Sequence, residues 1–502
     1  MIVERHRTAI SRTNLSKPLQ IAARHGYLQG DWTVFDYGCG KGQDVLILES
    51  AGITATGWDP FFNPESPLNK SDLVNLGFVL NVIENNSERI TALQKAVTLA
   101  QRLLIVSIIT EHSRQQAEHI YADGNITNRN TFQKYFTNQE ITDLIETATG
   151  LQPITVAPGV FFVFVDKIDE QRFLSNRYRK KQDISHLLTL KPPSVGTSSW
   201  ADWNKFQTNQ ITLTELWKAM LSFGRLPSLD EIPITLAEVI KEQFTSIRRA
   251  AETAQIGFKP SDFLHARASR IEDLKVYFAM NIFNKRTPYT QLEASLQRDV
   301  KTFFGSYTSA LEKARDLLFS IGDKSIILNT CIEAHEKGLG FLDGQHSLQI
   351  HKDLVEKLSS ELRIYIACAE KLYGDIEQSD IVKIHIQSSK VTFLEYADFE
   401  RTAVPHLNYR IKVDLGGQDV DYFDYTNDPT PQPLYLKSRY MDANQTGFNA
   451  QHRFDKKLEK LGVFDFSGFG PDSDTFAQGL EALNLVIRGK TLVKARKTTP
   501  LN

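Results

Sequence analysis

At 502 residues the chain exceeds what a single core organises, which predicts two or three domains. A 41% hydrophobic and 24% charged composition is that of an ordinary globular protein, and a formal charge of −2 excludes any global pull toward nucleic acid or an anionic membrane. Three scattered cysteines (Cys39, Cys331, Cys368), an N-terminus without an apolar signal segment and no window near ~20 apolar residues predict a reduced, cytoplasmic protein with no membrane partner.

In chain order, residues 1–30 read as a basic arm followed by a helix, with Arg5, Arg7, Arg12, Lys17 and Arg24 against the single acid Glu4. TVFDYG is a buried-strand signal, GQDVLILESAG an amphipathic helix closed by Gly52, and ITATGWD a second strand. DLVNLGFVL, SERITALQKAVTLAQ and RLLIVSII continue as strand, helix and strand, an alternation that argues for βαβ units and a parallel sheet. LQPITVAP and VFFVFVDK, separated by Gly159, predict a closing antiparallel hairpin.

The first domain is therefore expected over 1–168. A basic bridge and Pro/Ser/Gly-rich linker follows over 169–210. Residues 211–380 read as a helical domain, including TLAEVIKEQFTSIRRAAETA as one helix. From 381 to 502 a mixed region carries alternating strands with a Gly-Gly hairpin turn and finishes in a short helical segment. The fold class is an α/β Rossmann-like domain whose sheet is either complete or trimmed, then a mainly helical region and a C-terminal mixed α+β region.

The chemistry concentrates in Asp36-Tyr37-Gly38-Cys39-Gly40-Lys41-Gly42, between a predicted strand and a predicted helix. Glycine lets the chain reverse tightly and lets a ligand approach the backbone. Asp36, at the strand end, is placed to accept from a cationic amino group. Asp59, ending ATGWD, lies where an acid reads ribose hydroxyls in Rossmann-like sites. Gly42 comes one residue too early for G-x-G-x-x-G, which favours S-adenosylmethionine over a nicotinamide or flavin dinucleotide. In Ser71–Glu84, Asp72 would begin a strand and Leu76 to Asn81 would line the pocket floor, with Asn75 and Asn81 as acceptor-pocket candidates; the alternative for both asparagines is strand-end hydrogen bonding. Expected cofactor contacts are thus Asp36, Gly38, Gly40, Gly42, Asp59, Asp72 and Leu76.

The 12 residues between Asp59 and Asp72 are too few for a further helix, strand and adenine-contacting acid. Either the sheet is trimmed or FFNPESPLNK replaces that unit with a loop. Trp58, Phe61 and Phe62 then offer stacking surface or simple core packing.

Together these stretches resemble the DNA phosphorothioation-associated methyltransferase family. The matching segments are VERHRTAISRTNLSKP, FDYGCGKGQDV, GITATGWDPFF, DLVNLGFVLNVIE, NTFQKYF and APGVFFVF, continuing through RDVKTFFGSY, LRIYIACAEKLYG, VTFLEYADFE and PLYLKSRY. The resemblance implies an S-adenosylmethionine-dependent methyltransferase-like domain encoded in bacteria near phosphorothioate modification systems.

Local basic patches suit nucleic acid: Arg5, Arg7 and Arg12 on the arm, and Arg177, Arg179, Lys180 and Lys181 interleaved with Phe173 and Tyr178. The bland alternative is a solvated linker. Asp59-Pro60-Phe61-Phe62 matches the amino-methylating Asp-Pro-Pro-Tyr signature only superficially, and no Pro-Cys nucleophile is present. His346, His351, Asp343 and Asp353 match no standard metal spacing, so no metal is expected. The expected activity is methyl transfer to DNA or RNA in bacterial modification or defence, possible partners being other proteins of the modification system. The alternatives are a non-catalytic, cofactor- or nucleotide-binding adaptor and, less favoured by glycine spacing, a nicotinamide-dependent oxidoreductase.

Overall fold

The computed structural model describes residues 4–9, 12–110, 119–180, 200–283, 287–374 and 376–495. They fall into two compact units. The first comprises 1–170, 327–355 and 365–502, the second 171–326 and 356–364.

In the first unit, helix α1 (Lys17–Arg24) precedes strand β1 (Val34–Tyr37), helix α2 (Gln43–Ser50), β2 (Ala55–Trp58) and β3 (Ser71–Gly77). Helix α3 (Asn86–Leu99) runs directly into β4 (Ala100–Ser107). The Asn85 side chain starts α3 by accepting from the Ser87 and Glu88 amides, which would otherwise lack partners. A small antiparallel sheet follows, made of β5 (His119–Tyr121), β6 (Gly124–Ile126) and β7 (Phe132–Gln133). Then come α4 (Asn138–Thr149), β8 (Ile154–Ala157) and β9 (Val160–Phe164).

The central sheet has the order β2-β1-β3-β4-β9-β8. Strands β2, β1, β3 and β4 are parallel, whereas β9 runs antiparallel to both β4 and β8. This is a Rossmann-like α/β sheet closed by the expected hairpin, with Gly159 at its turn (φ 70°). After β2 the chain makes only an isolated bridge, Asp59 to Asn63, before reaching β3. The sheet is trimmed, and β2 is its edge.

Alternation along the strands divides the faces. Phe35, Tyr37, Val74, Leu76, Leu104, Val106, Phe161 and Val163 form one core with Ala92, Leu93 and Ala96 of α3 and Ile141 and Ile145 of α4. Helix α1, with buried Leu19, Ile21 and Ala22, packs on β3 and β4. Parallel strands need both faces covered, which explains their nearly unbroken apolar runs.

The second unit is helical: α5 (Lys167–Arg177) leads into it, followed by α6 (Trp200–Thr208), α7 (Gln210–Phe223), α8 (Ile234–Gln243), α9 (Ile247–Gly257), α10 (Pro260–Asn281), α11 (Ala294–Phe303) and α12 (Tyr307–Ser320). The stretch expected as one helix breaks into α8 and α9 because Ser246 turns extended and its hydroxyl caps the Arg249 amide. Trp217 stacks on Phe258 at 5.2 Å in its core. Fully buried Asp299 accepts from Arg225 Nε and, at 2.8 Å, from an Arg270 guanidinium nitrogen.

Most of α13 (Lys324–Glu336) and of α14 (Ser360–Tyr373) belongs to the first unit, which also holds a six-stranded antiparallel sheet in chain order. Its strands are β10 (Phe341–Asp343), β11 (Ser347–His351), β12 (Ile381–His385), β13 (Lys390–Tyr396), β14 (Leu407–Asp414) and β15 (Asp419–Asp424). At the Gly416-Gly417 hairpin, Asp414 Oδ1 accepts both glycine amides and Gln418 adopts the positive φ of 53°. Helices α15 (Phe448–Glu459) and α16 (Ser473–Ala482) precede a terminal hairpin, β16 (Leu485–Arg488) and β17 (Thr491–Lys494). That corrects the expected helical finish: Leu485-Val486-Ile487 pairs with Leu492-Val493-Lys494 across a tight turn at Gly489. Among the described residues, no helix is long and apolar enough to cross a membrane.

Candidate functional site

Strand order reverses between β1 and β3, since the chain leaves β1 for β2 on one side and then crosses to β3 on the other. In an open α/β sheet the crevice beyond the carboxyl ends of the strands at such a point is where ligands bind. The loops leaving those ends are the glycine turn after β1, residues 59–70 after β2, and residues 78–85 after β3.

The glycine turn has the conformation its composition implies. Gly38, Gly40 and Gly42 have φ of 83°, 53° and 74°. At Gly38 a Cβ would lie 2.5 Å from Val79 of the neighbouring loop, so only glycine lets the two loops touch. Gly42 is the N-cap of α2.

Asp36 is buried and accepts from Asn75 Nδ2 at 2.8 Å, in register with it across β1 and β3. Burial raises its pKa to about 7; Asn75 and Arg12 pull it down, while Asp44 and Asp59 push it further up. Among the described residues, Asn75 Oδ1 and, at the end of β4, Ser107 Oγ are buried without a hydrogen-bond partner. Buried acceptors without donors are rare in a native fold and usually mark a place for water or a ligand. A ligand ammonium beside Asp36 would satisfy that need.

Asp59 stands at the β2 end, but its carboxylate is already engaged. Oδ2 accepts the Gly40 amide at 3.0 Å, and Oδ1 accepts the Phe61 and Phe62 amides, each at 2.9 Å. It fixes the glycine turn against the 59–62 turn. Trp58 packs on Tyr37 and donates to Pro64 O, so it belongs to the fold, whereas the Phe61 ring is exposed at the rim. Burial, with Asp36 and Asp59 nearby, pushes the Cys39 thiol up to about 12, which leaves it protonated at neutral pH.

Two expected cofactor contacts are placed elsewhere. Asp72 lies at the amino end of β3, where its Oδ2 accepts the amide and hydroxyl of Thr33; it sits across the sheet from the crevice. Leu76 is fully buried on the face covered by α3 and α4, because residues one apart on a strand point to opposite faces. Asn75, two residues past Leu73, faces Asp36 instead.

Asn81 is also corrected. It is fully buried, its amide donates to Ile109 O (3.2 Å) and Lys134 O (2.6 Å), and its carbonyl accepts from Ile109 N (2.9 Å). The Asn81 backbone carbonyl accepts from Lys134 N at 2.8 Å. Ile109 and Lys134 are the outgoing and returning ends of the segment that carries β5–β7, so Asn81 anchors that insertion and has nothing left for an acceptor. Arg89, whose side chain is sealed from solvent, supplies a second anchor through Asp123 at the β5–β6 turn and its own Nε to Ile83 O (2.7 Å). Its guanidinium lies near the Phe132 and Phe136 rings. Nothing in the local sequence marks Arg89, because its partners are distant in the chain. Phe78, immediately after β3, takes φ 59°, a strained conformation for a bulky side chain and of the kind that collects at functional loops.

The basic arm folds across this crevice. Arg5 Nε donates to Glu84 (2.9 Å) and its terminal nitrogens to Glu88 (2.8 Å). His6 stacks on Phe61 with centroids 4.1 Å apart and planes 10° from parallel. Ala9 covers Gly40, the Arg12 amide donates to Gln43, and the Ser16 amide to Asp44. Arg7 pairs with Glu4 and Arg12 with Asp44. In the bridge, Arg179 bonds the Ser222 hydroxyl and carbonyl, and burial lowers the pKa of both Arg179 and Lys180. Arg177 lies at the end of α5, and Lys181 is outside the described residues. Arg5, Arg7, Arg12 and Arg179 are thus engaged within their own units rather than presented as a free cationic strip.

The sequence matches no protein-family model and no curated protein. Solved structures similar to this chain are S-adenosylmethionine-dependent methyltransferases. Magnesium protoporphyrin IX methyltransferase from Synechocystis PCC 6803, with bound S-adenosylmethionine, is 17% identical at a TM-score of 0.21, covering 30% of this chain and 76% of that one. A methyltransferase from Methanosarcina mazei is 16% identical (TM-score 0.23; 30% and 97% covered), and one from Aquifex aeolicus 18% (0.22; 30% and 89%).

Proposed function

We propose that the crevice beyond β1 and β3 holds S-adenosylmethionine and that the chain is a methyltransferase. The observation that carries this reading is the buried Asp36–Asn75 pair at the switch point, just before the glycine turn, with Asn75 Oδ1 and, at the end of β4, Ser107 Oγ unpartnered among the described residues. These are acceptors only or acceptor-capable groups, suited to an ammonium and not to a phosphate. A dinucleotide would instead ask for free amides at the turn, and the Gly40 amide is taken by Asp59.

Asp36 binds and orients the amino group of the ligand, and the glycine turn admits the backbone-close portion. The bound cofactor supplies an activated methyl group on sulfur. An exocyclic base amine or a thiolate held in line with that methyl needs positioning more than a dedicated base. We place the acceptor on nucleic acid in a bacterial phosphorothioation or defence setting, a reading that rests on the family resemblance in the motif segments.

A non-catalytic adaptor is the second reading, favoured by the trimmed sheet edge and by the complete engagement of Asn81. Transfer of labelled methyl from S-adenosylmethionine to total DNA, RNA and protein separates the two. The proposal expects label in nucleic acid, lost in Asp36→Ala; binding without transfer to any fraction would favour the adaptor.

A further inference from the structure

We propose that the N-terminal arm is a strap that retains the cofactor, with Arg5 as its latch and His6 as the brace of the nucleoside-side wall. This rests on the cofactor reading above and adds to it the means by which a trimmed sheet encloses its ligand.

Three consecutive residues of the arm reach the loops that follow three different strands. The Glu4 amide donates to Asn130 O of the β6–β7 loop, in the insertion after β4. Arg5 reaches Glu84 and Glu88, after β3. His6 lies on Phe61, after β2. Neighbouring residues thus grip opposite lips of the crevice, and three residues further on Ala9 lies so close to Gly40 that a Cβ there would stand 3.2 Å from the Ala9 methyl. A segment bound to one lip only would decorate the rim; one bound to both must move before anything beneath it can leave.

The need for such a strap follows from the missing edge. Beyond β2 there is only the 59–70 turn, with Phe61 standing exposed at its tip. A ring stacked at 4.1 Å leaves no room for a base between His6 and Phe61. His6 therefore holds Phe61 upright from one side and leaves its orientation fixed for contact with the nucleoside. The latch is electrostatic and multiply bonded. A guanidinium bridging two carboxylates has the geometry that Arg provides and Lys reproduces only in charge.

The test is stopped-flow dissociation of S-adenosylhomocysteine from the full chain, with hydrogen exchange on the same samples. Arg5→Ala should speed dissociation at least tenfold, His6→Ala several-fold, and Arg5→Lys, which keeps the charge without the fork, should recover only part of the loss. Amides 4–9 should exchange faster in Arg5→Ala while β1–β4 keep their protection, which excludes unfolding as the cause. Unchanged or slower dissociation in Arg5→Ala would overturn the strap while leaving the cofactor reading intact. Failure of the wild type to bind S-adenosylhomocysteine would overturn both.

Discussion

Asp36 and Asn75 sit side by side on adjacent parallel strands, and the Asn75 amide donates to the Asp36 carboxylate across 2.8 Å of buried space. Burial holds the Asp36 carboxyl at a pKa of about 7, far above the 3.8 it has in an unfolded chain. Between those values the folded state carries a proton that the unfolded state has lost, so stability falls as pH rises from 4 to 7 and is level above. Asp36→Asn removes the buried charge. The variant should match the wild type near pH 5 and be more stable at pH 8, by on the order of 2–4 kcal/mol. Urea unfolding at the two pH values checks this, and a less stable variant at pH 8 would contradict it.

Asn81→Ala removes three side-chain hydrogen bonds and leaves the Ile109 amide without its acceptor, while Ile109 O keeps the Phe136 amide and Lys134 O keeps Gln133 Nε2. The expected loss is about 2–4 kcal/mol. Hydrogen exchange should show the amides of 119–133 opening before those of the central sheet. Asn81→Asp should be worse, because a carboxylate would face the Ile109 and Lys134 carbonyls.

Asp123→Ala leaves Arg89 buried with its cation uncompensated and removes a partner of Lys134. Stranding a buried charge costs about 3–5 kcal/mol, less here because Asp123 itself is part-exposed. Arg89 holds the Asp123 pKa down at about 2, so the anchor persists above the unfolded value of 3.8 and is lost as pH falls toward 2. Arg89→Met, which fills the space without a charge, should cost less than Asp123→Ala. Thermal melts of the two variants at pH 7 decide the order.

In the helical unit Asp299 lies between Arg225 and Arg270, and Arg225 also pairs with Glu231. Asp299→Ala strands the Arg270 guanidinium and leaves Arg225 with Glu231 as its acid, and should destabilise that unit by about 3–5 kcal/mol. Hydrogen exchange in α7, α10 and α11 reports it, with β1–β4 unaffected.

Much of this was legible in the sequence. The strand–glycine turn–helix unit, the closing hairpin at Gly159 and the trimmed edge follow from local patterns: apolar runs, glycine spacing and the short stretch from Asp59 to Asp72. What escaped depends on contacts far apart in the chain. Asp72 reads as the first residue of a binding strand, yet the direction of β3 puts it at the sheet's far end with Thr33. Asn81 reads as a pocket residue until Ile109 and Lys134 close on it. The arm reads as free positive charge because its acids, Glu84 and Glu88, are some eighty positions away. The 119–133 sheet has strands of two or three residues, too short for any periodicity to register.

The most direct test is calorimetry of S-adenosylmethionine with the full chain, run at pH 7 in two buffers of different ionisation enthalpy. Binding of a cationic amino group at Asp36 should displace its proton. Heat should therefore differ between buffers for the wild type, affinity should rise with pH up to about 7, and Asp36→Asn should show neither binding nor proton release. No binding by the wild type, or equal binding by Asp36→Asn, would contradict the account.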